Sequence, residues 1–403
     1  MRITTVFNKL LALQGAFVRQ VVFGVNEIVV VVAKRHWLLR CPRCAFSTRA
    51  RYDCDVRDWR HVALGKWRVI LRATLGRLEC PEHGVITEMV PWAEHDSRFT
   101  RDFEDLVAWL AREMNKTAVT RLLHITWRAV GSIIERVVAR KLDKKRLDEL
   151  YVIGLDEVSY RKGQKYLTVV ANHRTGKPVW LGEGRTKKTL GTFFDELGPE
   201  RAKQINAVSM DMCAPYIAEV TKRAAQAEIA FDPFHVVKLA NEAVQEVRRT
   251  EARVRKGSPE ATVLKGSRWA LLKAPENLRD EEQVRLAEVA ELNAQVYRAY
   301  LLKEELRTLY RCRPRAAEKH LDSWLSWACR SKLAPFVKLE RTLRQNRQGV
   351  MAAIRLYLSN GLLEGINNKI GLLKRRAYGF HSAAALIAMI YLCCTDLQLN
   401  LPI

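Results

Sequence analysis

The sequence predicts a mixed α/β protein. A small β-rich module and a compact helical segment precede a mixed sheet, and a long all-helical stretch follows before the chain closes in short helices. Three observations predict this. β-branched and alternating apolar runs crowd residues 1–95 and 151–232. Apolar residues at helical spacing dominate 98–141 and 240–358. Hydrophobic residues make up 48% of 403 positions, enough for more than one core and too many for a disordered chain.

The charge narrows the partners. Lys and Arg total 68 against 44 Asp and Glu, a net charge of +24. The cations are spread along the chain, which suits an extended surface for a polyanion, nucleic acid first and an anionic membrane surface as the rival. Membrane insertion is not expected. The longest apolar runs, Ile28–Ala33 and Ala383–Cys394, fall short of the roughly 20 residues a spanning helix needs. Arg19, Glu27 and Lys34 interrupt the N-terminal apolar residues, so no signal peptide is read there. Nine cysteines, an odd number scattered over a long chain, argue against a disulfide framework and for a reducing, cytoplasmic compartment.

The elements follow in order. Residues 1–20 hold a short helix, and Glu27-Ile-Val-Val-Val-Val-Ala33 reads as a strand. Residues 36–95 mix Trp, Arg, Cys and His with alternating stretches such as Trp67-Arg-Val-Ile-Leu-Arg72, a small β-rich module. Phe103, Leu106, Val107 and Leu110 begin three helical stripes that end at Val137, with a break at His124–Trp127, the size of a helix-turn-helix. Strands are expected over 151–156, 165–171, 178–182, 205–211 and 228–232, with helices over 189–197, 216–225 and from His235. Three meander strands followed by alternating helices and strands make a mixed sheet. Residues 240–358 are helical, with turns near Gly257-Ser-Pro259, Ala274-Pro275 and Arg313-Pro314, and 362–395 return to helix around breaks at Gly361 and Gly379. The domain boundaries expected are 1–95, 96–148, 149–240, 241–358 and 359–403.

Cys41-Pro-Arg-Cys44 and Cys80-Pro-Glu-His83 are two knuckles, C-x2-C and C-x2-H. A two-residue spacing lets one turn aim both ligands at one ion, so Cys41, Cys44, Cys80 and His83 form a candidate structural Zn2+ site. The alternative is two unrelated reduced knuckles. Cys54 and His61 are possible substitute ligands without a paired spacing. In the helical segment, Thr117–His124 would support a recognition helix over Trp127–Arg140, with Arg128, Arg136, Arg140 and Lys141 placed for phosphates or base edges. The plainer reading is a three-helix connector with a solvated basic face.

Asp156 and Asp211 each end an apolar strand, where carboxylates are unusual, and Glu364 opens a helix within Asn360-Gly-Leu-Leu-Glu-Gly-Ile-Asn-Asn-Lys369. If they converge, hard oxygen ligands of this kind hold Mg2+ or Mn2+ for phosphodiester cleavage. Singly each has a bland reading, as a turn residue, a helix cap or a first-turn acid. Strand alternation points Glu157 to the other face.

Gly154-Leu-Asp-Glu-Val-Ser-Tyr-Arg-Lys-Gly163, Ser209-Met-Asp-Met-Cys-Ala-Pro-Tyr216, Phe231-Asp-Pro-Phe-His-Val-Val-Lys238 and the Asn360–Phe380 block, ending Arg375-Arg-Ala-Tyr-Gly-Phe380, together resemble a bacterial insertion-sequence transposase of the ISL-three family. The resemblance covers almost the whole chain. It implies an RNase H-like core with a DDE triad, here Asp156, Asp211 and Glu364, an N-terminal zinc module and a helix-turn-helix. It implies a helical insertion that separates the third acid from the core. It also implies Mg2+ or Mn2+ at the catalytic site, binding of double-stranded DNA at terminal inverted repeats, and cleavage and joining to a target. Asp232 and His235 form a D-x2-H pair for which the resemblance implies a supporting role near the active site, against a helix cap and a packed histidine. His83 departs from the resemblance, which would place cysteine there.

Arg185, Lys187, Lys188, Lys374, Arg375 and Arg376 are further candidate phosphate contacts. A homodimer or higher oligomer is expected, because two element ends must be held together, as is a place on the bacterial nucleoid. Two other functions stay open: a non-enzymatic zinc and helix-turn-helix regulator, and an RNase H-fold nuclease that cleaves without joining. No Ser or Tyr carries a nucleophile constellation.

Overall fold

The computed structural model describes residues 2–161, 163 and 165–401. Lys162, within the Gly154–Gly163 block, lies outside them. The chain forms two compact units, Met1–Asp143 with Leu373–Ile403, and Lys144–Leu372.

The first unit opens with α1 (Ile3–Leu11), then β1 (Ala16–Phe23), β2 (Glu27–Lys34), β3 (Leu39–Arg40), β4 (Ser47–Thr48), β5 (Asp53–Leu64), β6 (Trp67–Cys80) and β7 (Gly84–Thr87). The sheet runs β1-β2-β6-β5, with β7 paired to the end of β6. Among the described strands of this sheet, β2 and β6 pair in parallel and the other pairs are antiparallel. Alternating residues such as Val30, Val32, Val69 and Leu71 fill the core with Trp59 and Trp92. Strand β1 was not expected, because Arg19-Gln20 interrupts its apolar run. A register shift between Val18 and Gln20 absorbs the interruption.

Helices α2 (Arg101–Glu113), α3 (Lys116–Leu123) and α4 (Trp127–Lys141) follow. Thr100, Asn115 and Thr126 cap them, accepting from the backbone N–H of Phe103, Ala118 and Ala129. His124, in the left-handed region at φ 50°, makes the turn between α3 and α4. Helix α2 packs on β5, and the β module and these helices lie in the same unit.

In the second unit β8 (Val152–Arg161), β9 (Lys165–Asn172) and β10 (Lys177–Glu183) form the meander. Then come α5 (Lys187–Leu197), α6 (Pro199–Ala202), β11 (Ala207–Met210), α7 (Ala214–Arg223) and β12 (Glu228–Phe231). The order is β10-β9-β8-β11-β12, with β11 parallel to both neighbours. Strand β8 does not stop at Asp156 as expected. It runs on to Arg161 because its outer half is paired with β9.

From here to Leu356 the described elements are helical: α8 (Pro233–Val254), α9 (Pro259–Gly266), α10 (Arg268–Leu272), a short 3-10 turn, α11 (Asp280–Leu292), α12 (Ala294–Leu309), α13 (Pro314–Arg330), α14 (Ala334–Gln345) and α15 (Arg347–Leu356). Pro259, Pro275 and Pro314 open new turns of helix where breaks were expected. Helix α15 packs on β12, and a Cβ at Gly349 would collide with the Phe231 ring, so only glycine allows that approach. Helix α16 (Gly361–Arg376) follows.

The last helix, α17 (Ala383–Cys394), packs on α4 and α2 of the first unit. Leu373–Ile403 belongs to the same unit as the N-terminal residues. The physical reason is composition, since Ala-Ala-Ala-Leu-Ile-Ala-Met-Ile-Tyr-Leu-Cys-Cys is apolar nearly all round and must be covered. No helix among the described residues is long and apolar enough to cross a membrane.

Candidate active site and metal centre

The parallel register builds the acidic site. Ser209 pairs with Gly154, and Met210 with Phe231. Continued by one or two positions, that register brings Asp211 level with Asp156 on one neighbour and with Asp232 on the other. Asp156, Asp211, Asp232, His235, Glu364, Asn360 and Asn367 line one cavity of about 370 Å³. All the expected site acids of this region are thus brought together.

Each is held differently. Asp156 accepts from the backbone N–H of Glu157 at 2.7 Å and from Asn367 Nδ2 at 2.6 Å. Burial, with the Asp211 charge beside it, pushes its carboxyl up to about 6. Asp211 Oδ2 lies 3.1 Å from His235 Nδ1, and that hydrogen bond raises the histidine above its ordinary pKa. Asp232 is buried and caps α8, accepting from the His235 N–H at 3.1 Å and from the Asn360 N–H at 2.9 Å. Glu364 stands exposed in the first turn of α16. Glu157 turns away, as alternation requires, with Oε1 3.5 Å from Arg185.

Two residues escaped sequence reasoning. Asn360 Nδ2 donates to the Leu155 carbonyl at 3.1 Å, and its Oδ1 accepts from Ser209 Oγ at 2.5 Å, with His173 Nε2 2.7 Å from the same hydroxyl. This buried asparagine ties β8, β11 and Asp232 to the start of the helix that carries Glu364. Asn367, on the same helix, holds Asp156. Both lie inside the Asn360–Phe380 block, but an asparagine beside glycine or another asparagine reads as a turn former.

In the first unit the two knuckles meet. Cys41 and Cys44 lie between β3 and β4, Cys80 ends β6, and His83 precedes β7. Their four ligand atoms lie within 4.8 Å of one another. Cys44 Sγ is 3.5 Å from Cys80 Sγ, and His83 Nδ1 is 3.5 Å from Cys80 Sγ and 3.8 Å from Cys41 Sγ. A tetrahedral ion with bonds of about 2.0–2.3 Å sets its ligands roughly 3.5–3.8 Å apart, so the donor set and spacing fit Zn2+. Leu39, Leu78 and Ile86 pack around it. Cys54 and His61 are not substitutes: Cys54 is exposed and takes a bond from Arg51, and His61 is buried against Thr100 Oγ1 at 2.9 Å.

The basic residues separate. Arg128 and Arg375 are exposed. Arg136 donates to Glu104 at 2.8 Å, and Arg140 reaches Glu94, Glu104 and Asp105, neutralising two buried acids. Lys141 lies 2.8 Å from Asp105. Arg376 donates to the carbonyls of Ala111 and Arg112. These four side chains are committed within the unit, by partners far away in sequence.

A helix-turn-helix, a cysteine–histidine cluster and an acid-lined sheet edge are the parts of a DNA-processing protein, and the comparisons define the class. Residues 153–390 match a family model described as transposase, and residues 88–138 match the helix-turn-helix domain of transposase family ISL3. The chain belongs to this family, the transposases of insertion sequences. It is 41% identical over 407 residues to the transposase for insertion sequence element IS1557 of Mycobacterium tuberculosis, in strains CDC 1551 / Oshkosh and H37Rv, covering 94% of this chain and 91% of that protein. It is 31% identical over 347 residues to the transposase for IS1001 of Bordetella parapertussis, covering 85% and 86%.

Proposed function

We propose that this transposase works by DDE chemistry: it binds the terminal inverted repeats of its element, cleaves DNA by metal-dependent hydrolysis, and joins the freed 3′-hydroxyls to target DNA. One observation carries the reading. Asp156, Asp211 and Glu364, from β8, the end of β11 and α16, face one cavity. The strand order β10-β9-β8-β11-β12 supports an RNase H-like core, and the helices α8–α15 between β12 and α16 support a helical insertion.

Three carboxylates lining one cavity suit a hard divalent cation, so Asp156, Asp211 and Glu364 would hold Mg2+ or Mn2+. Bound there, the metal supplies activation of the attacking oxygen and stabilisation of the leaving one. The protein's own groups do the rest. Asn367 fixes the Asp156 carboxylate, and His235 orients Asp211 and offers a proton-bearing ring to the cavity. Asp232 and Asn360 set the spacing between sheet and helix. Cys41, Cys44, Cys80 and His83 would hold structural Zn2+. Arg128, Lys374 and Arg375 are assigned to DNA, whereas Arg136, Arg140 and Arg376 act by holding their unit together. The working form is a homodimer or higher oligomer, on the nucleoid in the cytoplasm.

The test uses the purified protein and its Asp156→Asn, Asp211→Asn and Glu364→Gln variants, with DNA bearing the element's own ends, a target plasmid and Mg2+. The expected result is cleavage and joining by the parent, and intact binding without chemistry in all three variants. A variant with full activity removes that residue from the triad. Cleavage without joining would point to a nuclease instead.

A further inference from the structure

We infer that α8 carries a track for a single DNA strand leading away from the acidic cavity, an assignment that rests on the DDE reading above. Lys238, Glu242, Gln245, Arg249 and Arg253 recur every three or four residues, so they share one face of α8. With Arg268 of α10 they line a groove of about 680 Å³. Lys238 also lines the acidic cavity, so groove and cavity adjoin. Lys238 to Arg253 spans about 22 Å along the helix axis.

Charge and a buried donor point to the ligand. Four cations, Lys238, Arg249, Arg253 and Arg268, face two acids, Glu242 and Glu246, leaving two positive charges in excess. None of the four cations is in an ion pair among the described residues. Gln245 is only 8% exposed, and its Nε2 has no hydrogen-bond partner. Arg248, buried beneath it, donates through Nε and Nη2 to Gln245 Oε1 at 3.1 and 2.9 Å. A guanidinium can only donate, so it fixes the amide with its oxygen toward Arg248 and leaves the buried NH2 group without an acceptor. A buried amide donor left unmatched is costly unless something accepts from it. Exposed arginines in a row along one groove are the complement of phosphodiester oxygens.

The test is a salt titration of binding, with the full-length protein in Mg2+-free buffer and a fluorescein-labelled single-stranded oligothymidylate. The test variant is Arg249→Ala/Arg253→Ala/Arg268→Ala. The control, Lys319→Ala/Lys338→Ala/Arg341→Ala, removes the same charge from exposed positions on α13 and α14. Each lost phosphate contact on a single strand lowers the slope of log K against log salt by about 0.7, so the groove variant should lose about 2 units. The control should keep the parental slope. Equal slopes in the groove variant and the parent, or equal losses in groove and control variants, overturn the track. Cleavage of element ends by the parent is scored on the same preparation. If the parent fails to cleave, the DDE reading fails, while the slopes still decide whether α8 binds the strand.

Discussion

At Asp156 the hydrogen bond from Asn367 fixes a carboxylate whose charge burial makes costly. A hydrogen bond to a charged group contributes about 1.5–3 kcal/mol. Asn367→Ala should therefore slow cleavage roughly 10- to 100-fold with end binding unchanged, since 1.36 kcal/mol is about tenfold in rate. Parental cleavage by this variant, in a single-turnover assay, would show that Asp156 needs no such holder. His61 gives a pH effect. It is 7% exposed, burial lowers its pKa, and Asp102 opposes that only in part. The unfolded chain then takes the proton first, so the stability from neutral His61 is complete above about pH 6.5 and is lost as pH falls toward the depressed value. Urea midpoints should drop between pH 7.5 and 5, and less so in His61→Gln. The acids were legible because a carboxylate on an apolar strand is an anomaly. Asn360 and Asn367 were not, because their partners, Leu155, Ser209, Asp232 and Asp156, lie more than a hundred residues away.

Between elements, the approach of α16 to β8 decides where Glu364 stands. A Cβ at Gly154 would collide with Leu363 Cδ1 and crowd His173 Nε2 and Ser209 Oγ at 3.1 and 3.2 Å. Leu363 is fully buried. Gly154→Ala should cost about 1–3 kcal/mol of stability, as overpacking does, and shift α16 enough to suppress cleavage. The readout is a lowered urea midpoint together with lost chemistry; a variant with both intact would mean the helix accommodates the methyl group freely. The Cys/His knuckles were legible from spacing alone, because each pair is local. Arg136 and Arg140 were not, since Glu104 and Asp105 sit on α2 and Glu94 in the segment before it, and a basic helix face looks solvated until its partners are placed. For the same knuckles, a zinc-selective chelator should lower the melting temperature of the protein, and Cys41→Ser should make it insensitive to the chelator. Chelator-independent melting of the parent would argue for reduced knuckles without metal.

For the whole molecule, the order of segments was legible from composition, whereas their grouping was not. The sequence places α17 at the end of the chain; only packing returns it to α2 and α4. Leu386, Ile390 and Leu392 are fully buried there. Burying such a side chain contributes about 1.5–3 kcal/mol, so losing all three removes most of what stabilises a typical domain. A chain stopped after Ser382 should lose the fold of the first unit and with it end binding, measured by circular dichroism and gel shift. Retained binding would show that α17 is a passenger.

That return has a consequence for synthesis. The first unit waits for its closing helix, and the acidic cavity for Glu364 and Asn367, all of which follow the long helical stretch in chain order. A product still short of Leu363 therefore has neither a closed first unit nor a complete acidic cavity.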